Sequence, residues 1–155
     1  EYFKTMAKVP LTHVPYKGAS AALTALMGNE VQMVIDPLAT AKKYAEAGKI
    51  RALAVTTAQR SSLWPQMPTV AEGGVPGFDT AVWYGMYVPA KTPAPIVEML
   101  NKEIVGILKS DDMRKWLSNE GLEPVGDTPA QSQAFLREDI ERWKVLAKSA
   151  GIQPE

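Results

Sequence analysis

The sequence predicts an α/β fold, a parallel sheet with flanking helices in its first half, followed by a mainly helical second half. Three observations predict it. Short β-favouring or apolar runs, LTHVP at 11–15, VQMVI at 31–35 and IRALAVTT at 50–57, alternate with stretches of helical spacing. The run at 31–35 is almost continuously apolar, the pattern of a parallel strand covered on both faces. The connections leave room only for neighbouring parallel strands joined by right-handed crossovers.

The elements follow in order. EYFKTMAK carries apolar Tyr2, Phe3 and Met6, like the last turns of a helix. With no initiator Met and no signal peptide, the chain reads as part of something longer, any targeting segment lying upstream. The strand at 11–15 is ended by Pro15. From about Ala19 to Met27, the residues Ala22, Leu23, Leu26 and Met27 share a helical face, and Gly28-Asn29 supplies the C-cap. After the strand at 31–35, Asp36 is the expected N-cap with Pro37 at the first helical position. That helix runs to about Ala47 and Gly48 stops it, before a third strand at 50–57.

Residues 58–78 are dense in Pro, Gly and Ser and read as irregular surface chain, with one helical turn at Thr69 to Glu72. TAVWYGMYV, 80–88, alternates and is aromatic, as a strand should be. Thr92-Pro93 then caps a helix to about Lys109 with Ile96, Leu100, Ile104 and Ile107 on one face. Asp111 starts a short helix bearing Met113, Trp116 and Leu117, and Glu123 to Val125 suits a short strand. TPAQ, 128–131, is a capping box opening a helix to about Ser149, with a stripe of Leu136, Ile140, Trp143 and Ala147. The second half thus has more apolar helix face than strand to cover it. At about 25 cal/mol per Å² such stripes cost several kcal/mol in water, which implies a sheet from outside this segment.

Composition excludes several function classes. Lys+Arg and Asp+Glu are both 17, and the longest basic run is Lys42-Lys43, too short for a nucleic-acid stripe. No apolar run approaches the roughly 18 residues of a membrane span. Cysteine is absent, which removes disulfides, thiolate catalysis and Cys-ligated metal, and the single histidine, His13, removes His-rich metal sites. No metal or cofactor is expected.

The break at Tyr16-Lys17-Gly18 has two readings. One is a strand-to-helix turn whose unpaired N–H groups, at the positive end of a helix dipole, seat a carboxylate, with Ser20 adding a hydroxyl. The other is a plain turn with a solvated Lys17. Neither Gly-rich phosphate motif occurs. Asp36 reads as an N-cap or as a group that orients a polar ligand or its waters. His13 lies inside a strand and reads as structural. Trp83-Tyr84 lines a cleft or packs in a core. No carboxylate pair or nucleophile–base pair stands at matching strand ends, so a binding module is favoured over an enzyme.

Six segments then carry a resemblance: HVPYKGASAAL, VQMVIDPLATA, AGKIRALAVTTAQRS, PTVAEGGVPGF, WYGMYVPAKTPAPIVEMLNKEI and GLEPVGDTPAQSQAFLREDIERW, in that order. Together they resemble the C-terminal half of the Bug-type receptors of tripartite tricarboxylate transporters, over nearly the whole chain. The resemblance implies a type II periplasmic-binding-protein-like fold, here an incomplete two-domain one. Residues 1–79 would form part of the second ligand-binding lobe. Residues 80–155 would supply a hinge-crossing strand and helices that pack on the first lobe. It also implies a non-catalytic, periplasmic receptor that captures a small organic acid or amino acid and delivers it to membrane transporter subunits. The ligand loops carried over are Tyr16, Lys17, Gly18, Ala19 and Ser20, then Asp36, Pro37, Leu38 and Thr40. Where the family commonly has further glycines, this chain has Ala19-Ser20. If the segment stands alone, self-association is expected to cover its exposed faces. The rival readings are an α/β enzyme domain using Lys17 and Asp36, and a non-catalytic interaction domain.

Overall fold

The computed structural model describes residues 1–149 and 151. The chain divides into two compact units, with the boundary between Trp83 and Tyr84.

Helix α1 spans Tyr2–Ala7, all but its first residue in the first unit, where α2 spans Ala19–Met27 and α3 spans Leu38–Glu46. Leu23 and Ala25 of α2 are buried. The helix ends as the Gly28-Asn29 pair leads one to expect, although Asn29 and not Gly28 takes the left-handed conformation, at φ 60°. The Glu30 amide donates back to Ala25 O at 2.9 Å and the Asn29 amide to Leu26 O at 3.1 Å, which satisfies carbonyls the helix leaves open. Gly48, at φ 67°, ends α3 by the same device, with Lys49 N donating to Tyr44 O at 2.9 Å.

The start of α3 departs from expectation. Pro37 is the N-cap, at φ −55° and ψ 137°, and no side chain caps the helix. Proline disfavours helical backbone in the residue before it, so the helix begins after Pro37 and leaves Asp36 too far back to reach the first amides.

The expected parallel sheet is a second departure. Among the described residues no segment forms a strand, and the only β-bridge is an isolated parallel one, Val55 with Thr69. The segments 11–15, 31–35 and 80–88 run without regular secondary structure, as do Arg51 to Ala54 and Glu123 to Val125. Alternation and β-branching encode extended backbone, but a strand also needs a partner's N–H and C=O groups and a cover for its faces. Here the faces stay open, with Val14 48 %, Ile35 58 %, Leu53 60 % and Tyr84 79 % exposed. Pro10 and Pro15 also remove ladder donors on either side of 11–15.

The first unit's densest packing lies where the sequence reads as surface loop. Val55 N donates to Pro68 O at 2.8 Å and Val55 O accepts from Val70 N at 2.9 Å, which draws the chain 58–78 against the end of the third apolar run. Thr69 and Glu72 form a reciprocal capping box, Thr69 N to Glu72 Oε2 at 2.7 Å and Glu72 N to Thr69 Oγ1 at 3.0 Å. Trp64, Thr69 and Phe78 are buried. Phe3 of α1 meets the Phe78 ring edge-on, centroids 5.9 Å apart. Lys42 of α3 donates to Leu63 O at 2.9 Å.

In the second unit, α4 spans Ala94–Leu108, α5 Asp111–Asn119 and α6 Pro129–Ser149, with α4 packed against both others. Pro93, not Thr92, is the N-cap of α4, again with no side-chain cap. Ser110 caps α5, accepting from Met113 N, and Asp111 and Asp112 in its first turn complement the helix dipole. Gly121, at φ 70°, closes α5 through Leu122 N to Leu117 O at 2.8 Å. The box that opens α6 forms as expected, with Thr128 N to Gln131 Oε1 at 2.9 Å and Gln131 N to Thr128 Oγ1 at 3.3 Å. Asn101 ties α4 to the approach to α6 through Asp127 O at 2.8 Å. The buried Asp139 pairs with Arg142 on the same helix. Of the expected stripes Leu117 is buried, whereas Ile96, Leu100, Trp116, Ile107, Ile140 and Trp143 are exposed.

Candidate functional site

At the first candidate loop the chain enters α2 through a tight turn, Gly18 N donating to Tyr16 O at 3.0 Å around Lys17. Gly18 is the N-cap at φ 95° and ψ 166°, a conformation essentially restricted to glycine, and a Cβ placed there would meet nothing within 4 Å. Glycine is therefore required for backbone direction, and the space beside it is open. The first bond from the helix back to the cap is Ala22 N to Gly18 O, a long 3.4 Å. Among the described residues the amides of Ala19, Ser20 and Ala21 have no acceptor, and no side chain caps them. Tyr16, Lys17, Gly18 and Ser20 are exposed and Ala19 is half-buried.

The second loop is similar but smaller. Thr40 N and Ala41 N both donate to Pro37 O at 3.1 Å, which leaves the Leu38 and Ala39 amides open. Pro37 is exposed, while Leu38 and Thr40 are half-buried. Helices α5 and α6, by contrast, close their first turns with Ser110 and with the Thr128–Gln131 box. Unclaimed amides concentrate positive partial charge, and α2 and α3, like the uncapped α4, offer it where the capped α5 and α6 do not.

Asp36 sits at the entry to this second loop. Its Oδ2 is sealed from solvent without a hydrogen-bond partner, and burial pushes its carboxyl above the usual range. Lys17 and Asp36, the pair an enzyme reading requires, form no ion pair or hydrogen bond with each other. No hydrogen bond joins the two loops, both of which belong to the first unit. The end of the third apolar run satisfies itself: Thr56 O accepts from Thr80 N at 2.9 Å, Thr57 Oγ1 donates to Gln59 O at 2.6 Å, and Ala58 N donates to Asp79 Oδ1 at 2.9 Å.

Sequence reasoning missed Glu72 as an organising group. Its carboxylate accepts from Arg60 Nε as well as from the Thr69 amide, and the Arg60 contact leads in holding it below the usual carboxylate range. The signal was present, since Thr69-Val70-Ala71-Glu72 has capping-box spacing inside a stretch that reads as punctuation. Among the described residues no group of three His, Asp or Glu side chains is placed to hold a metal, and no helix is long and apolar enough to cross a membrane.

Residues 1–152 match the profile of the tripartite tricarboxylate transporter family receptor. This chain belongs to that family. The tripartite tricarboxylate transporter receptor resemblance drawn from the six segments is thereby borne out, and this receptor family is a solute-binding rather than a catalytic one. Among solved structures, the chain is similar to R. palustris Rpa4515 with adipate, at 44 % identity and TM-score 0.82 over 99 % of this chain and 51 % of that one. It is similar to the periplasmic binding protein BugD at 30 % identity and TM-score 0.77, over 99 % and 52 % of the two chains. MatC from Rhodopseudomonas palustris, with bound malate, follows at 33 % identity and TM-score 0.72, over 91 % and 49 %. These matches give the chain a periplasmic-binding-protein-like fold, although it forms no strand among its described residues. The chain spans about half the length of the solved relatives it matches, with 51 % and 52 % of the first two covered.

Proposed function

We propose that this chain is the carboxylate-holding part of an extracytoplasmic solute-binding receptor that presents a small organic acid to a tripartite tricarboxylate-type membrane transporter. The observation that carries the reading is the uncapped start of α2, where three consecutive amides stand open beside an exposed Lys17 in a receptor-family chain. A carboxylate supplies the acceptors those amides lack. Leu38 and Ala39 add two more donors, and the unused hydroxyls of Ser20 and Thr40 complete a set suited to an anion with several oxygens. Adipate in Rpa4515 and malate in MatC support this ligand class.

The periplasmic description of BugD supports a periplasmic location. On this reading residues 1–79 belong to one ligand-binding lobe and 80–155 supply a crossing strand and helices for the other. Exposed Val82, Tyr84 and Met86, at 74 %, 79 % and 79 %, are the faces such an arrangement would cover. Where only this segment is present, self-association covers them. Ligand favours the closed state through its differential contacts. The test is a thermal-shift screen of mono-, di- and tricarboxylates and amino acids on the protein, with turnover followed in parallel. A stabilisation growing as RT ln(1 + [L]/Kd) without product formation is expected. Absence of any response across the series sinks the proposal.

A further inference from the structure

The charges of the first unit do not balance around the candidate loops. Its Lys and Arg residues outnumber its Asp and Glu by two. Three of the acids are already taken, Glu1 by Lys4, Glu46 by Lys42 and Glu72 by Arg60. Lys17 is exposed, and among the described residues its side chain forms no ion pair or hydrogen bond. Helix α2, which follows it, carries no charged side chain, so nothing on that element offsets the ammonium. An ammonium held by nothing keeps its water, and fixing it against a ligand costs the freedom of a long stem, so a direct contact gains little. Its field needs no such ordering. Two peptide units separate the Lys17 and Ala19 Cα atoms, at most about 7.6 Å, within the Debye length of about 10 Å at 0.1 M salt. A positive charge at that range attracts an anion on approach and speeds association more than it tightens the final complex.

We propose that Lys17 is a steering residue: it draws acids to the open amides and sorts them by charge, dianions arriving faster than monoanions, without itself holding the bound carboxylate. The inference rests on the receptor reading above, in which the amides hold the anion, and adds to it the charge class captured fastest and the residue that sets it. Lys43 offers the contrast. It is exposed too, but stands in the last turn of α3, at the end opposite that helix's open amides.

The experiment follows exchange of isotope-labelled adipate and of its monoamide with the full chain by NMR line shape, which gives kon and koff at each salt concentration. The wild type is expected to capture adipate about threefold faster than the monoamide at about 20 mM salt, the gap closing by about 0.5 M. Lys17→Gln is expected to slow adipate capture about threefold at low salt and not at high salt, with koff within about twofold. Lys17→Arg restores the rate, because steering needs the charge and not the ammonium geometry. Lys43→Gln changes the net charge equally and is expected to leave kon within about 1.5-fold. Melting of the unliganded variants reports folding. An effect of Lys17→Gln confined to koff, one that persists at high salt, or an equal effect of Lys43→Gln overturns the inference while the receptor reading stands. Exchange with neither probe overturns the inference, and exchange with no acid of the thermal-shift series overturns the receptor reading as well.

Discussion

The Glu72 carboxylate holds Arg60 with both oxygens, Nε to Oε2 at 3.0 Å and Nε to Oε1 at 3.1 Å, across a stretch of chain that otherwise has no regular structure. The same Oε2 takes the Thr69 amide, and Arg60 Nη1 reaches Pro65 O at 3.3 Å. One acidic side chain therefore joins three points of the 58–78 segment, next to the Val55–Thr69 bridge.

Removing the hydroxyl that completes this box, Thr69→Ala, is expected to cost about 1–2 kcal/mol, as for other N-cap losses. Glu72→Gln weakens the Arg60 contact and is destabilising at neutral pH. Glu72 sits below its ordinary range in the fold, so its contribution is present above the unfolded carboxylate value and is lost as pH falls through the depressed folded one. Chemical denaturation from neutral to acid pH checks this. Wild type and Glu72→Gln should converge in acid, and a constant gap would refute the assignment.

Asp36 runs the opposite way. Burial raises its folded value, so stability declines as pH rises from the unfolded value through the folded one. Asp36→Asn is expected to gain stability at neutral pH, and nothing in strong acid. Melting curves at both pH extremes decide it, a loss of stability at neutral pH being the contrary result.

Gly18→Ala should cost about 1–3 kcal/mol through backbone strain alone, because the added Cβ meets no neighbour within 4 Å. The open amides of α2 depend on this turn, so ligand-induced stabilisation falls along with the melting temperature. A variant that melts normally yet keeps its full ligand response contradicts the geometry.

Core and uncovered faces separate cleanly by substitution. Phe78→Ala should cost about 3–5 kcal/mol and Leu117→Ala about 2–5 kcal/mol. Ile107→Ser and Ile140→Ser, at residues 54 % and 44 % exposed, should each stay within about 0.5 kcal/mol in this chain. Urea unfolding of the four variants measures the contrast.

The helices were legible because their signals are local. Ala19–Met27 appears with the bounds its spacing suggests, and the Thr128–Gln131 box forms atom for atom. Both caps misread, Asp36 and Thr92, precede a proline that takes the cap position itself. The strands were not legible as strands, since LTHVP and VQMVI specify an extended backbone but not the partner that pairs with it. The packing of Trp64, Thr69 and Phe78 was hidden for a related reason, because Pro, Gly and Ser mark where a chain turns without saying what it turns around. At the candidate loops the sequence located Gly18 and Ser20 correctly at the head of a helix. Only coordinates reveal that the amides there are left open and that Asp36 caps nothing.

Asn29, Gly48 and Gly121 each reverse the backbone within two residues of a helix end and bond back into that helix. Every determinant of those three stops is encoded within a single turn of chain. Such segments acquire their lengths on the microsecond scale of isolated helices, while the distant pairings wait on slower encounters. A nascent chain of this sequence would thus sample helical pieces of already fixed bounds before any extended run had found its companion.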